Sequence, residues 1–164
     1  MSSFSLKKKL QGRNLYLIGM MGSGKTATGK PLAKNLGYGF VDSDNVIEQL
    51  ARKTTNQIFL DHGEKYFREL ESKVLQEIGT HYGLVVATGG GVVTKTKNWG
   101  VLHQGVVIWI DPGRETLLAR LDSDQTIRPL LQTNNQSSSF DRIIKERYCF
   151  YQEADLRISV ENNQ

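Results

Sequence analysis

The chain has a single cysteine, Cys149, so no internal disulfide can form, and its cysteine and three histidines never fall at zinc-site spacing. That usage fits a reducing, cytoplasmic setting. No apolar run approaches the ~20 residues of a membrane span, and the first residues lack the apolar stretch of a signal peptide. Neither export nor bilayer insertion is expected. There are only three prolines, and with 23% charged and 38% hydrophobic residues the composition excludes a collagen-like or disordered chain. The excess of positive charge is small, +4, and suits anionic small ligands as well as nucleic acid. Its one concentrated run, Lys7-Lys8-Lys9, has no interleaved aromatics to stack on bases, so no nucleic-acid partner is expected. Residues 1–13 read as a polar, solvated tail. Residues 14–164 are enough for one domain and too few for two.

Apolar, β-branched runs recur at residues 15–18, 40–41, 84–87, 106–110 and 158–160, separated by segments of helical periodicity. This alternation predicts an α/β domain with a largely parallel sheet, covered on both faces and therefore buried. Phe67, Leu70, Val74, Leu75 and Ile78 keep one face apolar and predict a helix over 64–78. Leu117, Leu118 and Leu121 predict another after the Asp111-Pro112-Gly113 turn, and Phe140, Ile143, Ile144 and Tyr148 one more. The polar stretch 122–139, interrupted by Arg128-Pro129-Leu130-Leu131, reads as a mobile flap. Pro31 falls inside the helix expected after residue 24 and predicts a kink there.

The sharpest functional signal is Gly19-Met20-Met21-Gly22-Ser23-Gly24-Lys25-Thr26, a G-x-x-x-x-G-K-T phosphate loop directly after the first apolar run. Its glycines let successive N–H groups turn inward toward phosphate oxygens, and the helix opening near Gly24 adds its positive end. Lys25 then reaches the β- and γ-phosphates, and the Thr26 hydroxyl ligates Mg²⁺. Gly22, Ser23, Gly24, Lys25, Thr26 and Ala27 are the expected nucleotide contacts.

What receives the γ-phosphate depends on residues at the ends of later strands. Asp42 and Asp44 follow the second strand, where ligands of parallel sheets collect. One carboxylate suits the Mg²⁺ shell, with Asp42 preferred, and the other suits proton acceptance; Asp44 also suits capping of a helix starting at Asn45. Gly89-Gly90-Gly91 ends the third strand, as either a tight turn or a backbone that a ligand can approach closely. Arg68 has a planar fork for a carboxylate, or for its helix neighbours Glu64 and Glu71. Arg128 in the flap can swing onto a transferring phosphoryl group. Arg147, on the last helix, reads as solvated by default, and Asp111 as a turn former.

Together these positions resemble the shikimate kinase family over about residues 14–158. The likeness rests on GMMGSGKT, Asp42-Ser43-Asp44, Gly63-Glu64 with Phe67-Arg68 and Glu71, the Gly89-Gly90-Gly91 turn, Arg128-Pro129-Leu130-Leu131, and Arg147 ahead of Tyr151 and Ala154. It implies a three-layer P-loop fold like that of nucleoside-monophosphate kinases, with a five-stranded parallel sheet and a lid. The implied reaction is ATP γ-phosphate transfer to the 3-hydroxyl of shikimate by a cytoplasmic, monomeric enzyme of aromatic amino-acid biosynthesis, with Mg²⁺ as cofactor. By the same likeness, Asp44 holds the shikimate hydroxyls and acts as base, Arg68 and Arg147 clamp the carboxylate, Glu71 steadies Arg68, and Gly90 contacts the ring. Arg128 becomes the lid arginine and Asp42 backs the metal shell.

The sequence departs from the pattern in three places. The family continues past its last strand into an adenine-contacting loop and helix, so its nucleotide-contact region is expected to be truncated at Gln164. Leu121 stands where an arginine seven residues before Arg128 is usual, with Arg120 beside it as the available substitute, and Ala27 replaces a common hydroxyl residue. Two other functions keep the same motifs: a kinase for another hydroxy acid such as gluconate, and a kinase-like binding protein without turnover.

Overall fold

A computed structural model describes residues 3–132 and 135–159, with the side chains of 3 and 4 set aside. Five strands, β1 Leu15–Ile18, β2 Gly39–Asp42, β3 Leu84–Ala87, β4 Val106–Asp111 and β5 Leu156–Ser159, form one sheet in the order β2-β3-β1-β4-β5. All four pairings are parallel. The helices α1 Ser3–Leu10, α2 Lys25–Leu36, α3 Ser43–Ala51, α4 Thr55–Gly79, α5 Thr96–Leu102, α6 Arg114–Ser123 and α7 Gln136–Tyr151 supply the connections, with short 3-10 turns at Val92–Thr94 and Pro129–Leu131.

Strand periodicity divides the core into two layers. Tyr16, Ile18, Val86, Val107 and Trp109 point to one face, where they meet Leu75, Ile78, Phe140 and Tyr151. Leu15, Leu17, Val85, Ile108 and Ile110 point to the other, against Ala33 and Leu36 of α2 and Leu10 of α1. The central strands are thus apolar on both faces, as buried parallel strands must be. Because β3 and β4 flank β1 on opposite sides, the chain order reverses at the carboxyl end of β1, which opens a crevice at the phosphate loop.

Five details differ from the sequence expectation. Residues 3–10 form a helix docked through Leu10, rather than a free tail, although Lys7, Lys8 and Lys9 are exposed as read. α2 runs unbroken through Pro31; Ala27 and Pro31 both lie on its exposed face, where water can replace the missing donor to the Ala27 carbonyl. The helix expected over 64–78 is found directly after Gly63, whose φ of 80° and ψ of 174° suit glycine alone, but a further helical segment opened by a Thr54/Gln57 capping box precedes it and was not expected. β5, paired on one edge only, exposes all four of its residues, so the sheet is not buried throughout; Val160 of the predicted fifth run and the chain end at Gln164 lie outside the described residues. The irregular stretch is shorter than 122–139, since α6 reaches Ser123 and Asn135 caps α7 by accepting from Ser138 N–H.

Candidate active site

The phosphate loop is held from within. Lys25 Nζ donates to the carbonyls of Gly19 (2.8 Å) and Met20 (2.9 Å) and to Ser23 Oγ (3.3 Å), while Gly24, at φ 94°, turns the chain into α2. Burial pulls the Lys25 amine down to about 8, although Asp44 and Asp42 favour its charged form. Thr26 Oγ1 donates to Asp42 Oδ2 at 2.8 Å. The other oxygen, Asp42 Oδ1, accepts from the N–H groups of Asp44 (3.1 Å) and Asn45 (3.3 Å). Asp42, not Asp44, is therefore the cap of α3, which starts at Ser43.

That arrangement leaves the Asp44 side chain for other work. Its Oδ1 is buried and has no hydrogen-bond partner. Burial, then the charges of Glu71 and Asp42, push its carboxyl up to about 6, against the pull of Lys25 and Arg68. Glu71 is in the same condition: Oε1 accepts from Arg68 Nη1 at 2.8 Å, and Oε2 is buried without a partner. Both orphan oxygens crowd Gly89, where a methyl group would come within 2.5 Å of Glu71 Oε2 and 2.9 Å of Asp44 Oδ1. Glycine at the end of β3 is needed here for close approach.

Arg68 is buried, paired to Glu71 and, at 3.4 Å, to Glu64, so the local pairing and the cavity position hold together. Arg147 is buried as well, not solvated, and its Nη1 lies against Gly90. Tyr151 fixes that stretch by donating its hydroxyl to the Gly90 carbonyl at 2.7 Å. Arg128 Nη2 meets Asp124 Oδ2 at 2.6 Å, and Arg120 Nη1 donates to the Gly22 carbonyl at 3.0 Å across the mouth of the phosphate loop. Asp111 accepts from Gly113 N–H, as a turn former does, and also pairs with Arg157.

Two cavities result. One, of about 610 Å³, is lined by Gly22, Ser23, Gly24, Lys25, Thr26, Ala27 and Asp42. The other, of about 580 Å³, is lined by Phe59, Phe67, Arg68, Glu71, Gly89, Gly91 and Arg147. Met21, Asp44, Gly90 and Arg128 line both, so the cavities meet at a seam with a carboxylate on one side and a guanidinium on the other. Every residue singled out as a candidate in the sequence lines one cavity or both. The bonds of Tyr151 to Gly90 and of Asp124 to Arg128 were not anticipated, while Arg120, offered by the sequence as the substitute for a missing arginine, reaches the phosphate loop. The Asp-x-Thr spacing of Asp124 and Thr126, which suits a side-chain-capped turn, was the one local signal for Asp124.

A divalent cation has donors at Thr26 and Asp42. Among the described residues no three His, Cys, Asp or Glu side chains cluster as a metal cage. Mg²⁺ needs none, because it keeps water and phosphate oxygens in its shell and takes only one or two protein oxygens.

A parallel sheet with a phosphate loop at its switch point, opening onto an adjoining cavity with two buried arginines, defines a P-loop kinase of the nucleoside-monophosphate-kinase-like class acting on a small anionic acceptor. Comparison with known proteins narrows this. The model of the shikimate kinase family matches residues 21–164. A shikimate kinase of Prochlorococcus marinus (strain MIT 9313) is 59% identical over 155 residues, covering 94% of this chain and 81% of that protein. The solved shikimate kinase of Acinetobacter baumannii in complex with shikimate superposes with a TM-score of 0.87 at 38% identity, covering 96% of this chain and 88% of that one. A gluconokinase from Sinorhizobium meliloti, at 15% identity and a TM-score of 0.54, shares the fold alone. The chain belongs to the shikimate kinase family.

Proposed function

We propose that this chain transfers the γ-phosphate of ATP to the 3-hydroxyl of shikimate, giving shikimate 3-phosphate and ADP. The observation that carries the reading is the seam, where the nucleotide cavity and the arginine-lined cavity share Asp44 and Arg128. The phosphate-loop amides and Lys25 hold the β- and γ-phosphates. Thr26, with Asp42 behind it, holds Mg²⁺, which when bound neutralises charge on the phosphate oxygens. Arg68 and Arg147 take the shikimate carboxylate, and the Gly89-Gly90-Gly91 backbone lies under the ring.

As the 3-oxygen attacks the γ-phosphorus, its proton passes to Asp44, the bond to the β,γ-bridging oxygen breaks, and that electron pair leaves on ADP. Asp44 suits the task because its raised carboxyl still ionises below neutral pH while binding a proton better than an exposed carboxylate. Arg128 spreads the charge of the transferring phosphoryl group. Closure of the 124–132 segment over the seam excludes water, which competes with the alcohol.

The enzyme is further proposed to act as a monomer, since residues of one chain line both cavities, and in the cytoplasm, in keeping with its single cysteine. ADP release measured against a panel of acceptors tests the main reading. Shikimate should far exceed gluconate, and turnover with gluconate alone, or binding of shikimate without turnover, would refute it.

A further inference from the structure

We propose that Asp124 is a positioning residue for phosphoryl transfer, stationing the Arg128 guanidinium at the seam between the two cavities. The inference rests on the reading of that seam as the place of transfer.

Arg128 sits in a stretch with no helical hydrogen bonding, between the end of α6 at Ser123 and the 3-10 turn at Pro129. A long side chain on such a backbone has many rotamers and needs an external hold to keep one. Asp124 supplies that hold and is itself fixed. Its Oδ1 accepts from Thr126 N–H (2.9 Å) and from Thr126 Oγ1 (2.6 Å), and its Oδ2 accepts from Arg128 Nη2 (2.6 Å). The Thr126 bonds, and then Arg128, hold the Asp124 carboxyl down to about 2, so it stays ionised at any working pH. The three residues straddle the seam: Asp124 lines the nucleotide cavity, Thr126 the acceptor cavity, and Arg128 both. Asp124 takes only Nη2 of the fork, and a guanidinium carries further N–H donors for a phosphoryl oxygen.

Asp124 also has a cost, which its pairing with Arg128 offsets. It sets a carboxylate in the wall of a cavity that receives a polyanion. Paired, it aims the guanidinium; unpaired, it repels phosphate. The effect of removing its charge therefore reverses sign with the state of Arg128. A merely structural surface pair would show no such reversal and contributes little to stability.

The test is steady-state kinetics and ATP titration of Asp124→Asn, Asp124→Glu, Arg128→Ala and the Asp124→Asn/Arg128→Ala double variant, each with a melting curve. Asp124→Asn should lower kcat about tenfold, leave the shikimate KM within about twofold, and leave Tm unchanged. Asp124→Glu should recover part of the loss. In the Arg128→Ala background, Asp124→Asn should cost no further kcat and should tighten ATP severalfold. An equal kcat loss in both backgrounds, or no loss in the parent, overturns the role of Asp124 while leaving the proposed function standing. Full kcat in Arg128→Ala overturns the seam reading itself, and this inference with it.

Discussion

Gly91→Ala puts the packing of the acceptor cavity to a quantitative test. Gly91 has φ −97° and ψ 2°, which alanine adopts without backbone strain, so any effect comes from the added methyl group. That methyl would overlap the guanidinium carbon and both terminal nitrogens of Arg68. Arg68 is buried and held at 2.8 Å by Glu71, so it has no slack and must retreat by roughly an ångström to reach ordinary contact. Overpacking of this kind costs about 2 kcal/mol, or about 4–8 °C in Tm for a domain of this size.

The larger effect falls on binding. A charge-assisted contact to the shikimate carboxylate is worth about 2 kcal/mol, so its loss raises the shikimate KM about 30-fold. The KM for ATP should stay within about twofold, because Gly91 and Arg68 line the other cavity. Gly100→Ala is the control: nothing lies within 4 Å of the added methyl, and in α5 it should stabilise by up to about 1 kcal/mol. Coupled measurement of ADP release against shikimate concentration reads the outcome. A shikimate KM within twofold of the parent would refute the geometry of the arginine clamp.

Asp44→Asn should abolish turnover, leave nucleotide binding intact by calorimetry, and raise Tm at neutral pH. Burial, with Glu71 and Asp42 nearby, holds the folded-state carboxyl up at about 6, against about 3.9 for an ordinary aspartate, so carrying its charge destabilises the fold by about 3 kcal/mol above pH 6. That cost fades as pH falls toward 4, where the melting curves of parent and variant should converge. The parent kcat/KM should fall on the acid side through about pH 6 as Asp44 gains its proton, and on the alkaline side above about 8 as free-enzyme Lys25 loses its charge; a profile flat from pH 5 to 9 would exclude both assignments. Asp42→Asn should raise the Mg²⁺ concentration for half-maximal rate about tenfold or more, by weakening the hold on Thr26; an unchanged Mg²⁺ requirement would remove Asp42 from the metal shell.

The layers of the fold were legible because short apolar runs alternating with period-3.6 segments carry them: the continuous run Val106 to Ile110 fitted a doubly covered strand, and the phosphate loop marked the end of β1. The candidate site was legible in part for the same reason, since chemistry-bearing residues cluster at strand ends. What sequence could not carry was pairing at a distance. Arg147 read as solvated by default for a charged helix residue, although Ile143 and Tyr151, four residues to either side, put it on the buried face of α7; the contact with Gly90 that completes its burial is remote in sequence. The capping role of Asp42 was masked by Asp44, an equally good cap two residues on, and was decided by Thr26 holding the Asp42 side chain. Pro31 weakens α2 by local rules, yet the helix continues through it, with Ala27 and Pro31 both on the exposed face where the Ala27 carbonyl is open to solvent. The helix at 3–10 carried too weak an amphipathic pattern to read, with Leu10 as its buried anchor.

Phosphorus and proton NMR of the product formed from Mg²⁺-ATP and shikimate tests the central claim most directly. The account predicts ADP and one phosphomonoester, coupled to the ring proton at carbon 3 and formed in equal amounts. ADP with inorganic phosphate and unchanged shikimate, or a phosphate on another oxygen, would contradict it.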